Sequence, residues 1–271
     1  MKIQSNFNTS QYQNNINHMK ATEEQQKKSA KELSTGKKVN SAADDAAVMA
    51  ISEQIMKEAK SLTAGSNNIS YGIDATNIAD GALSNISDSL GDIEQNTVRA
   101  MNGLYSDSDR AILQEANEQS VATINQTINQ ATYNEKNLLD GTTGDINIYT
   151  GTTSSTITEA DAKSAVDSLE NFDVSVNSDE ISTDALDETY SNISSIRSQI
   201  GAETNGLSAA YNVNTNTAEN LTAAQARAQD TDFYESVSEM KNSSVVNQAQ
   251  NMALKNQMES QENLVSKMFQ A

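Results

Sequence analysis

The sequence predicts a mainly α-helical protein: a long, discontinuous coiled-coil rod with paired N- and C-terminal helices and a small β-hairpin. The 271 residues contain no proline, although ordinary usage would give roughly 13. Alanine, the best helix former, occurs 32 times. Apolar residues also recur at alternating steps of three and four over long stretches, which is typical of helices that pack as coiled coils.

Apolar side chains are scarce for a chain of this charge. Phe, Leu, Ile and Val together number 49, and the formal net charge is −19. Such values border on those of disordered proteins, but the absence of proline and the abundance of alanine favour helices. We therefore expect helices with thin apolar stripes that need partners to complete their burial.

The composition also excludes several function classes. The absence of cysteine rules out disulfides, thiolate zinc sites and cysteine nucleophiles. The single histidine, His18, excludes paired-histidine zinc motifs and argues against a histidine-based catalytic triad. No apolar run is long enough to span a membrane, and the first residues lack the apolar core of a secretory signal.

The first two predicted helices cover 1–34 and 41–104. The apolar stripe of the first begins at Ile3 and Phe7 and fades into asparagines. Ser41 and Asp44 have the spacing of a capping box for the second. Its later half carries an apolar seam in heptad steps, made of Ala79, Leu83, Ile86, Leu90, Ile93, Thr97, Ala100 and Leu104. Four glycines each weaken this helix by about 1 kcal/mol relative to alanine, namely Gly65, Gly72, Gly81 and Gly91.

The middle of the chain predicts shorter elements. Ser106 and Asp109 have capping-box spacing for a helix over about 107–134. Alternating residues after the Asp140-Gly141 turn predict a β-hairpin over 145–158. A short helix is expected at 159–170, with Thr158 and Asp161 as a further capping box.

Two long helices are predicted to complete the chain, over 183–230 and 231–271. One face of the first is apolar, from Ile193 to Leu221. The heptad seam of the second is half polar or flexible, and it consists of Met240, Ser244, Asn247, Asn251, Leu254, Met258, Gln261, Val265 and Met268. An isolated helix with such a seam is marginal in water, so we expect the two chain ends to pair with each other and with neighbouring subunits.

Charged residues give no sign of a catalytic or nucleic-acid site. Residues 140–190 contain twelve carboxylates and one lysine, a balance that repels nucleic acid. Asp44 and Asp45 form a carboxylate pair, which we interpret as helix capping because it opens a predicted helix. His18 is interpreted as a surface or interface residue. We predict no catalytic residues, no cofactor and no metal.

Several segments, in order along the chain, resemble the bacterial flagellins. The resemblance covers about 1–141 and 183–271, and it rests on LSTGKKVNSAADDAAVMAISEQI (33–55), ISYGIDATNIADGALSNISDSL (69–90), Asn134 with NLLDG (137–141), IRSQIGAETNGL (196–207) and AENLTAAQARAQDTD (218–232). The resemblance implies a structural subunit, exported unfolded and assembled at the tip of an extracellular flagellar filament used for swimming. The short middle implies a minimal flagellin that lacks large outer domains.

The resemblance also implies a division of the chain. The expected parts are a filament-core helix at 1–40, N-terminal rod helices at 41–141, an acidic variable segment with the hairpin at 142–182, a C-terminal rod helix at 183–230 and a second filament-core helix at 231–271. Heterologous contacts between subunits that do not close into a ring build such open filaments.

Candidate self-association residues follow from the apolar stripes, although each is equally compatible with a core position inside one subunit. They are Ile3, Phe7, Leu83, Ile86, Leu90, Ile93, Val237, Met240, Leu254, Met258, Leu264, Val265, Met268 and Phe269. By resemblance, the Ser/Thr cluster Thr152, Thr153, Ser154 and Ser155 lies on the outer surface and is a candidate for O-glycosylation.

The resemblance implies protein partners and no membrane. They are copies of the same chain, an export chaperone at the C-terminal segment, and the filament cap and junction proteins. Many flagellins carry an Arg- and Leu-rich face that a vertebrate innate receptor recognises on monomers. Here Gly91, Asp92, Gln95 and Asn96 interrupt that face, and Val48 replaces a usual glycine. Asp92 and Asn96 stand where a basic and an apolar contact would be, so we expect weak or no receptor activation.

Two alternative functions share part of this pattern. A hook-filament junction protein has similar ends, but it typically has proline after the Asp-Asp pair, where this chain has Ala46. A secreted helical adhesin that never polymerises would also suit the heptads, but it would not need the ordered motifs. A flagellin with a metalloprotease insert is excluded by the single histidine and the short middle.

Overall fold

A computed structural model of the chain describes the backbone of residues 9–269 and the burial of residues 12–263 and 265–267. Helices dominate this part of the chain. In order, the elements are α1 (Thr9–Thr35), α2 (Ala46–Ala100), α3 (Asp107–Gln130), β1 (Thr132–Tyr133), β2 (Lys136–Asn137), β3 (Ile146–Tyr149), β4 (Ser154–Ile157), α4 (Ala162–Val166), a 3-10 helix (Asp167–Asn171), α5 (Asp184–Gln229) and α6 (Phe233–Phe269).

The chain divides into two compact units. The central unit comprises Glu58–Asn220, and the terminal unit comprises the residues on either side of it, up to Lys57 and from Leu221 onward. The N-terminal part of α2 and the C-terminal part of α5 therefore belong to the terminal unit, which also contains α1 and α6.

The core of the central unit forms where α2, α3 and α5 present apolar faces. Leu83, Ile86, Leu90 and Ile93 of α2 are completely buried, and they share a cluster with residues of the other two helices: Ile124, Ile128, Leu186, Ile193 and Ile200. The predicted seam is confirmed from Ala79 to Ala100, since each of its positions is buried. It is wrong at Leu104, which is 92% exposed because α2 ends at Ala100 and the chain turns.

The predicted hairpin is confirmed as β3 and β4. The strands pair antiparallel, with Ile146 opposite Ile157 and Tyr149 opposite Ser154. Ile148 and Ile157 pack against Ile69 of α2 and other apolar side chains of the central unit. The hairpin therefore forms a small second core with α2.

Two glycines of α2 explain how closely the hairpin approaches the helix. A Cβ atom on Gly65 would lie 2.0 Å from the Thr150 carbonyl oxygen, and one on Gly72 would lie 2.1 Å from Cδ1 of Ile148. Gly81, by contrast, faces open space. The first two glycines thus serve close packing and do not simply weaken the helix.

A second, very short hairpin was not predicted. Strand β1 pairs antiparallel with β2, and the turn between them contains Asn134 and Glu135, whose φ angles are 48° and 65°. Two-residue turns with positive φ at both positions match the twist of a hairpin, and asparagine tolerates that conformation better than most residues. Strands of two residues are too short for an alternation pattern, so the sequence carried little signal for them.

The predicted helix caps are partly confirmed. Before α3, the Ser106 hydroxyl accepts a hydrogen bond from the Asp109 amide at 3.3 Å, and the Asp109 carboxylate accepts one from the Ser106 amide at 3.0 Å. Hydrogen bonds from the Ser106 hydroxyl and amide lower the pKa of Asp109. This capping box is the predicted one.

The other two capping boxes are corrected. Helix α2 begins five residues after Ser41, because Asp45 is the residue whose carboxylate accepts from the amides of its first turn, Ala47 and Val48, at 3.0 Å each. Asp44 instead closes the preceding turn, where its carboxylate accepts from the Ser41 amide at 2.9 Å. Helix α4 is capped by Asp161, which accepts from the Ser164 amide at 2.8 Å.

The caps explain two further boundaries. The Thr158 amide donates to the Glu203 carboxylate at 3.1 Å, so Thr158 holds the end of the hairpin and caps no helix. The helix expected over 159–170 is divided into α4 and the 3-10 helix. Helix α3 ends at Gln130, before the expected 134, because the chain enters β1 at Thr132.

We expect Gly65→Ala to destabilise the central unit by about 2 kcal/mol, because the added methyl group must push the hairpin off α2. Gly81→Ala is the matched control in the same helix, and it should stabilise the protein by up to about 1 kcal/mol. Urea unfolding of the monomer, followed by circular dichroism, measures both changes. Equal effects of the two substitutions would contradict the close packing at Gly65.

Candidate functional site

Helices α1 and α6 of the terminal unit pack along each other through a largely polar seam. The buried and half-buried positions follow heptad steps in both helices. In α1 the heptad positions are Tyr12, Asn15, Met19, Thr22, Gln26, Ser29 and Leu33, with Ile16 and Glu32 beside them. In α6 they are Ser236, Met240, Ser243, Asn247, Gln250, Leu254, Gln257 and Gln261, with Val237, Glu239 and Ser244 beside them. Where a stable helix pair places Leu and Ile, this pair places mainly amides and hydroxyls.

Side-chain amides link the two helices directly. The Asn247 amide nitrogen donates to the Gln26 side-chain oxygen at 3.0 Å. Gln250 donates to the Thr22 hydroxyl at 3.4 Å, and Asn15 donates to the Gln257 side-chain oxygen at 3.4 Å. These pairs give the seam a register without giving it much hydrophobic stabilisation.

Two carboxylates add to this network near the C-terminal end of α1 and the N-terminal end of α6. One oxygen of Glu239 accepts from the Gln25 amide at 3.1 Å and from the Ser29 hydroxyl at 3.4 Å. The buried Glu32 accepts from the Ser236 hydroxyl at 3.3 Å. Polar contacts therefore continue along the described length of the pair.

The amide network is not fully satisfied. The side-chain oxygens of Asn247 and Gln250 are buried without a hydrogen-bond partner among the described residues. A buried polar atom left in this state costs about 1–3 kcal/mol. The pairing of α1 with α6 is consequently weak when the subunit is alone.

Several apolar residues of α6 lie on its exposed surface, away from the seam. Val245 and Met252 are seven residues apart and form one stripe, 64% and 69% exposed. Val246, Met258 and Val265 are also exposed. Helix α6 thus departs from ordinary amphipathicity, since amides and hydroxyls fill most positions that face α1 and several apolar residues are left exposed.

The predicted seam of α6 is right at every second position. Met240, Asn247, Leu254 and Gln261 lie in the seam as expected. Ser244 is half-buried beside the more deeply buried Ser243, whereas Asn251, Met258 and Val265 are exposed. Gln250 and Gln257 take the inner positions next to Asn251 and Met258. The difference arises because amides that hydrogen-bond α1 occupy these inner positions, and an apolar heptad pattern carries no signal for them.

The structure separates the candidate self-association residues into groups. Leu83, Ile86, Leu90 and Ile93 are 0% exposed, so they belong to the core of their own subunit and have no surface to offer another copy. Val237, Met240 and Leu254 are half-buried on α6, and Met258 and Val265 are exposed there. Ile3 and Phe7, with the side chains of Leu264, Met268 and Phe269, lie outside the described residues.

The other predicted site residues lie on the surface of the central unit. Thr152, Thr153 and Ser154 are exposed at the β3–β4 turn, and Ser155 is half-buried. Asp92 is exposed on α2. Asn96 is half-buried, and its side chain donates to that of Asn117 on α3 at 3.0 Å, so it is held within the subunit.

The described residues contain no group of three or more His, Cys, Asp or Glu side chains that could hold a metal ion. His18 is exposed on α1. Among the described helices, none combines the length and apolarity required to cross a bilayer.

We expect the double substitution Gln26→Leu with Asn247→Leu to stabilise the α1–α6 pair by about 1–2 kcal/mol, because it removes an unsatisfied buried amide oxygen and creates an apolar contact. The same changes at the exposed amides Gln13 and Gln248 are the matched control. Thermal unfolding of the monomer by far-ultraviolet circular dichroism compares the two. A seam variant no more stable than the control would show that the polar seam does not limit pairing.

Comparisons with known proteins agree with this architecture. Residues 3–143 match the bacterial flagellin N-terminal helical region, and residues 183–267 match the bacterial flagellin C-terminal helical region. The flagellin of Halalkalibacterium halodurans is 30% identical over 231 residues, which cover 83% of this chain and 85% of that protein.

Two solved structures share the fold. Bacillus cereus flagellin superposes with a TM-score of 0.50 at 23% identity, covering 59% of this chain and 94% of its own. A Vibrio parahaemolyticus protein described as a flagellar hook-associated protein superposes with a TM-score of 0.60 at 12% identity, covering 69% of this chain and 100% of its own. The family matches cover both halves of the chain, and the chain belongs to the bacterial flagellin family.

Proposed function

We propose that this chain is a structural subunit that polymerises with copies of itself into an extracellular flagellar filament for swimming motility. The observation that carries the proposal is the arrangement of α6, whose largely polar seam faces α1 while Val245 and Met252 face outward. Such a pair is incomplete as a monomer. Neighbouring copies that cover the outer apolar stripe would supply the stabilisation that the seam lacks.

The same weakness suits export before assembly. A chain that passes unfolded through a narrow channel gains from the absence of disulfides and of slow prolyl isomerisation, and this chain has neither cysteine nor proline. Weakly paired ends also unfold readily. We propose that the chain is exported unfolded and that its ends fold fully when the subunit joins the filament tip.

The division of labour along the chain follows from these properties. We propose 1–40 and 231–271 as filament-core segments, 41–141 and 183–230 as the rod, and the acidic 142–182 as the outer segment. Of the self-association candidates, Val237, Met240, Leu254, Met258 and Val265 stay in the proposal, together with Ile3, Phe7, Leu264, Met268 and Phe269. The four buried residues of α2 are removed from it.

The proposed partners are those of a filament subunit. An export chaperone would bind the C-terminal segment, where the exposed apolar residues of α6 would otherwise be free before assembly. The filament cap and junction proteins would contact the chain at the two ends of the filament. The proposal includes no catalytic role, no nucleic acid and no membrane.

The hook-filament junction protein is the less favoured alternative. Its support is fold similarity alone, at 12% identity, whereas the flagellin regions match both halves of the chain. Ala46, at the first position of α2, also differs from the proline typical of junction proteins.

We also propose that Thr152, Thr153, Ser154 and Ser155 accept O-linked sugars. Three of them are exposed at the hairpin turn, where a transferase could reach them. An intact mass of the native protein equal to the sequence mass would reject this modification.

Weak activation of the innate flagellin receptor is expected from the α2 surface. Asp92 presents a negative charge where an arginine is usual, and Asn96 is held by Asn117. The double substitution Asp92→Arg with Asn96→Leu should raise the potency of the monomer about tenfold in a reporter-cell titration. Glu118→Arg with Gln119→Leu, at exposed positions of α3, is the control. Unsubstituted protein as potent as an Arg- and Leu-bearing flagellin would overturn this expectation.

Polymerisation itself is tested on heat-depolymerised protein. Negative-stain electron microscopy before and after adding salt or short filament seeds should show long filaments of uniform diameter, and helicity should rise on assembly. A protein that stays monomeric and is already fully helical would contradict the proposed function.

The outer stripe of α6 gives a sharper prediction. Val245→Ser with Met252→Ser should leave monomer helicity unchanged and raise the critical concentration for polymerisation about tenfold or more, because two exposed apolar side chains no longer lose water on assembly. Val245→Ile with Met252→Leu keeps the stripe apolar and should polymerise like the parent. Normal polymerisation of the serine variant would exclude this stripe from the contact.

A further inference from the structure

The central unit carries an open groove beside the β3–β4 hairpin. Three tyrosines line it, Tyr71 from α2, Tyr133 from β1 and Tyr149 from β3, together with the apolar Ile146 and Ile148. Its volume is about 390 Å³. Tyr71 and Tyr149 are 59% and 58% exposed, so large apolar surfaces meet water there. A concave site lined by aromatic and apolar side chains is typical of binding sites.

The charge of the groove differs from that of the rest of the chain. The groove lining includes Lys136 and no carboxylate, although the whole chain carries 37 acidic residues and only 18 Lys and Arg. Lys136 forms no ion pair among the described residues, unlike Lys163 and Arg197 of the same unit, which pair with Asp167 and Asp80. An occupant of the groove should therefore combine an apolar or aromatic group with negative charge.

The turn between α2 and α3 of the same unit combines exposed apolar and aromatic side chains with nearby negative charge. Leu104 is 92% exposed at the turn, and Tyr105 beside it is also exposed. The segments that surround the turn, 99–113 and 172–181, contain five carboxylates and two arginines. Arg110 is paired with Asp107. The remaining four carboxylates outnumber the one remaining arginine, so the region around the turn carries net negative charge.

The groove and the turn lie far apart along the same helix. From Tyr71 to the last residue of α2, Ala100, an α-helix rises about 44 Å. One subunit therefore cannot fill its own groove with its own turn. A second copy, displaced along α2 by about this distance, can.

We propose that the α2–α3 turn of one subunit docks in the tyrosine groove of the next, with Leu104 and Tyr105 against the tyrosines and the surrounding carboxylates near Lys136. The contact is heterologous, since each copy offers a turn to one neighbour and a groove to another, and its repetition builds an open row of subunits. This inference deepens the proposed filament function and rests on it.

Cysteine crosslinking tests the contact cleanly, because the chain contains no cysteine of its own. Filaments of the double variant Leu104→Cys with Tyr149→Cys are oxidised and then denatured without reductant. A ladder of covalent dimers, trimers and longer oligomers is expected, because each copy bonds to two neighbours. Each single variant should yield no such ladder.

A matched double variant controls for proximity in a crowded filament. Leu104→Cys with Val213→Cys keeps the turn and moves the second cysteine to another exposed apolar position, 63% exposed on α5. It should yield at least tenfold less of the longer oligomers. Equal ladders from both double variants, or no ladder from Tyr149→Cys filaments, would overturn the contact.

Two further measurements keep the test decisive. If the double variant does not polymerise alone, the two single variants are mixed with excess unsubstituted chains, and disulfide-linked dimers joining the two variants in these mixed filaments are the expected result. Their absence would overturn the contact.

Lys136→Gln should raise the critical concentration for polymerisation about threefold at low salt and little at high salt, whereas Lys60→Gln should change it at neither salt concentration. Filaments that form without crosslinks refute this contact alone, while failure of the unsubstituted chain to form filaments refutes the proposed function.

Discussion

The polar seam between α1 and α6 is the constraint on which the rest of the structure depends. Amides and hydroxyls occupy the positions that hold two helices together, so their pairing gains little from the hydrophobic effect and leaves the side-chain oxygens of Asn247 and Gln250 without partners. Val245, Met252 and other apolar residues of α6 are exposed instead. A helix pair arranged in this way specifies a register through hydrogen bonds and leaves much of its stabilisation to contacts with other copies.

The central unit, by contrast, buries its apolar residues within a single chain. Leu83, Ile86, Leu90 and Ile93 of α2 are buried without any neighbouring subunit, and the hairpin is held against the helix by close approach at Gly65 and Gly72. The central unit therefore has enough buried apolar surface to fold within a single chain. The terminal unit needs contacts with other copies to become stable. This contrast fits a subunit that must be both a defined building block and easy to unfold at its ends.

The sequence predicted the long helices, the β3–β4 hairpin, the Ser106–Asp109 capping box and the buried seam of α2, because each depends on a local pattern of spacing. It failed where tertiary contacts decide. The expectation that Leu83 contacts other subunits is wrong, because side chains of α3 and α5 help to bury it completely within its own subunit. The inner positions of Gln250 and Gln257 could not be predicted, because these amides contact α1 through hydrogen bonds and a heptad pattern is defined by apolar residues.

Hydrogen exchange of backbone amides, compared between monomer and assembled filament, tests the role of the polar seam most directly. Amides of α1 and α6 should exchange within seconds to minutes in the monomer and become at least about a hundredfold slower in the filament, while those of α2 near Leu90 should be protected in both states. If α1 and α6 are already as protected in the monomer as α2 is, the seam is sufficient by itself, and the central claim is wrong.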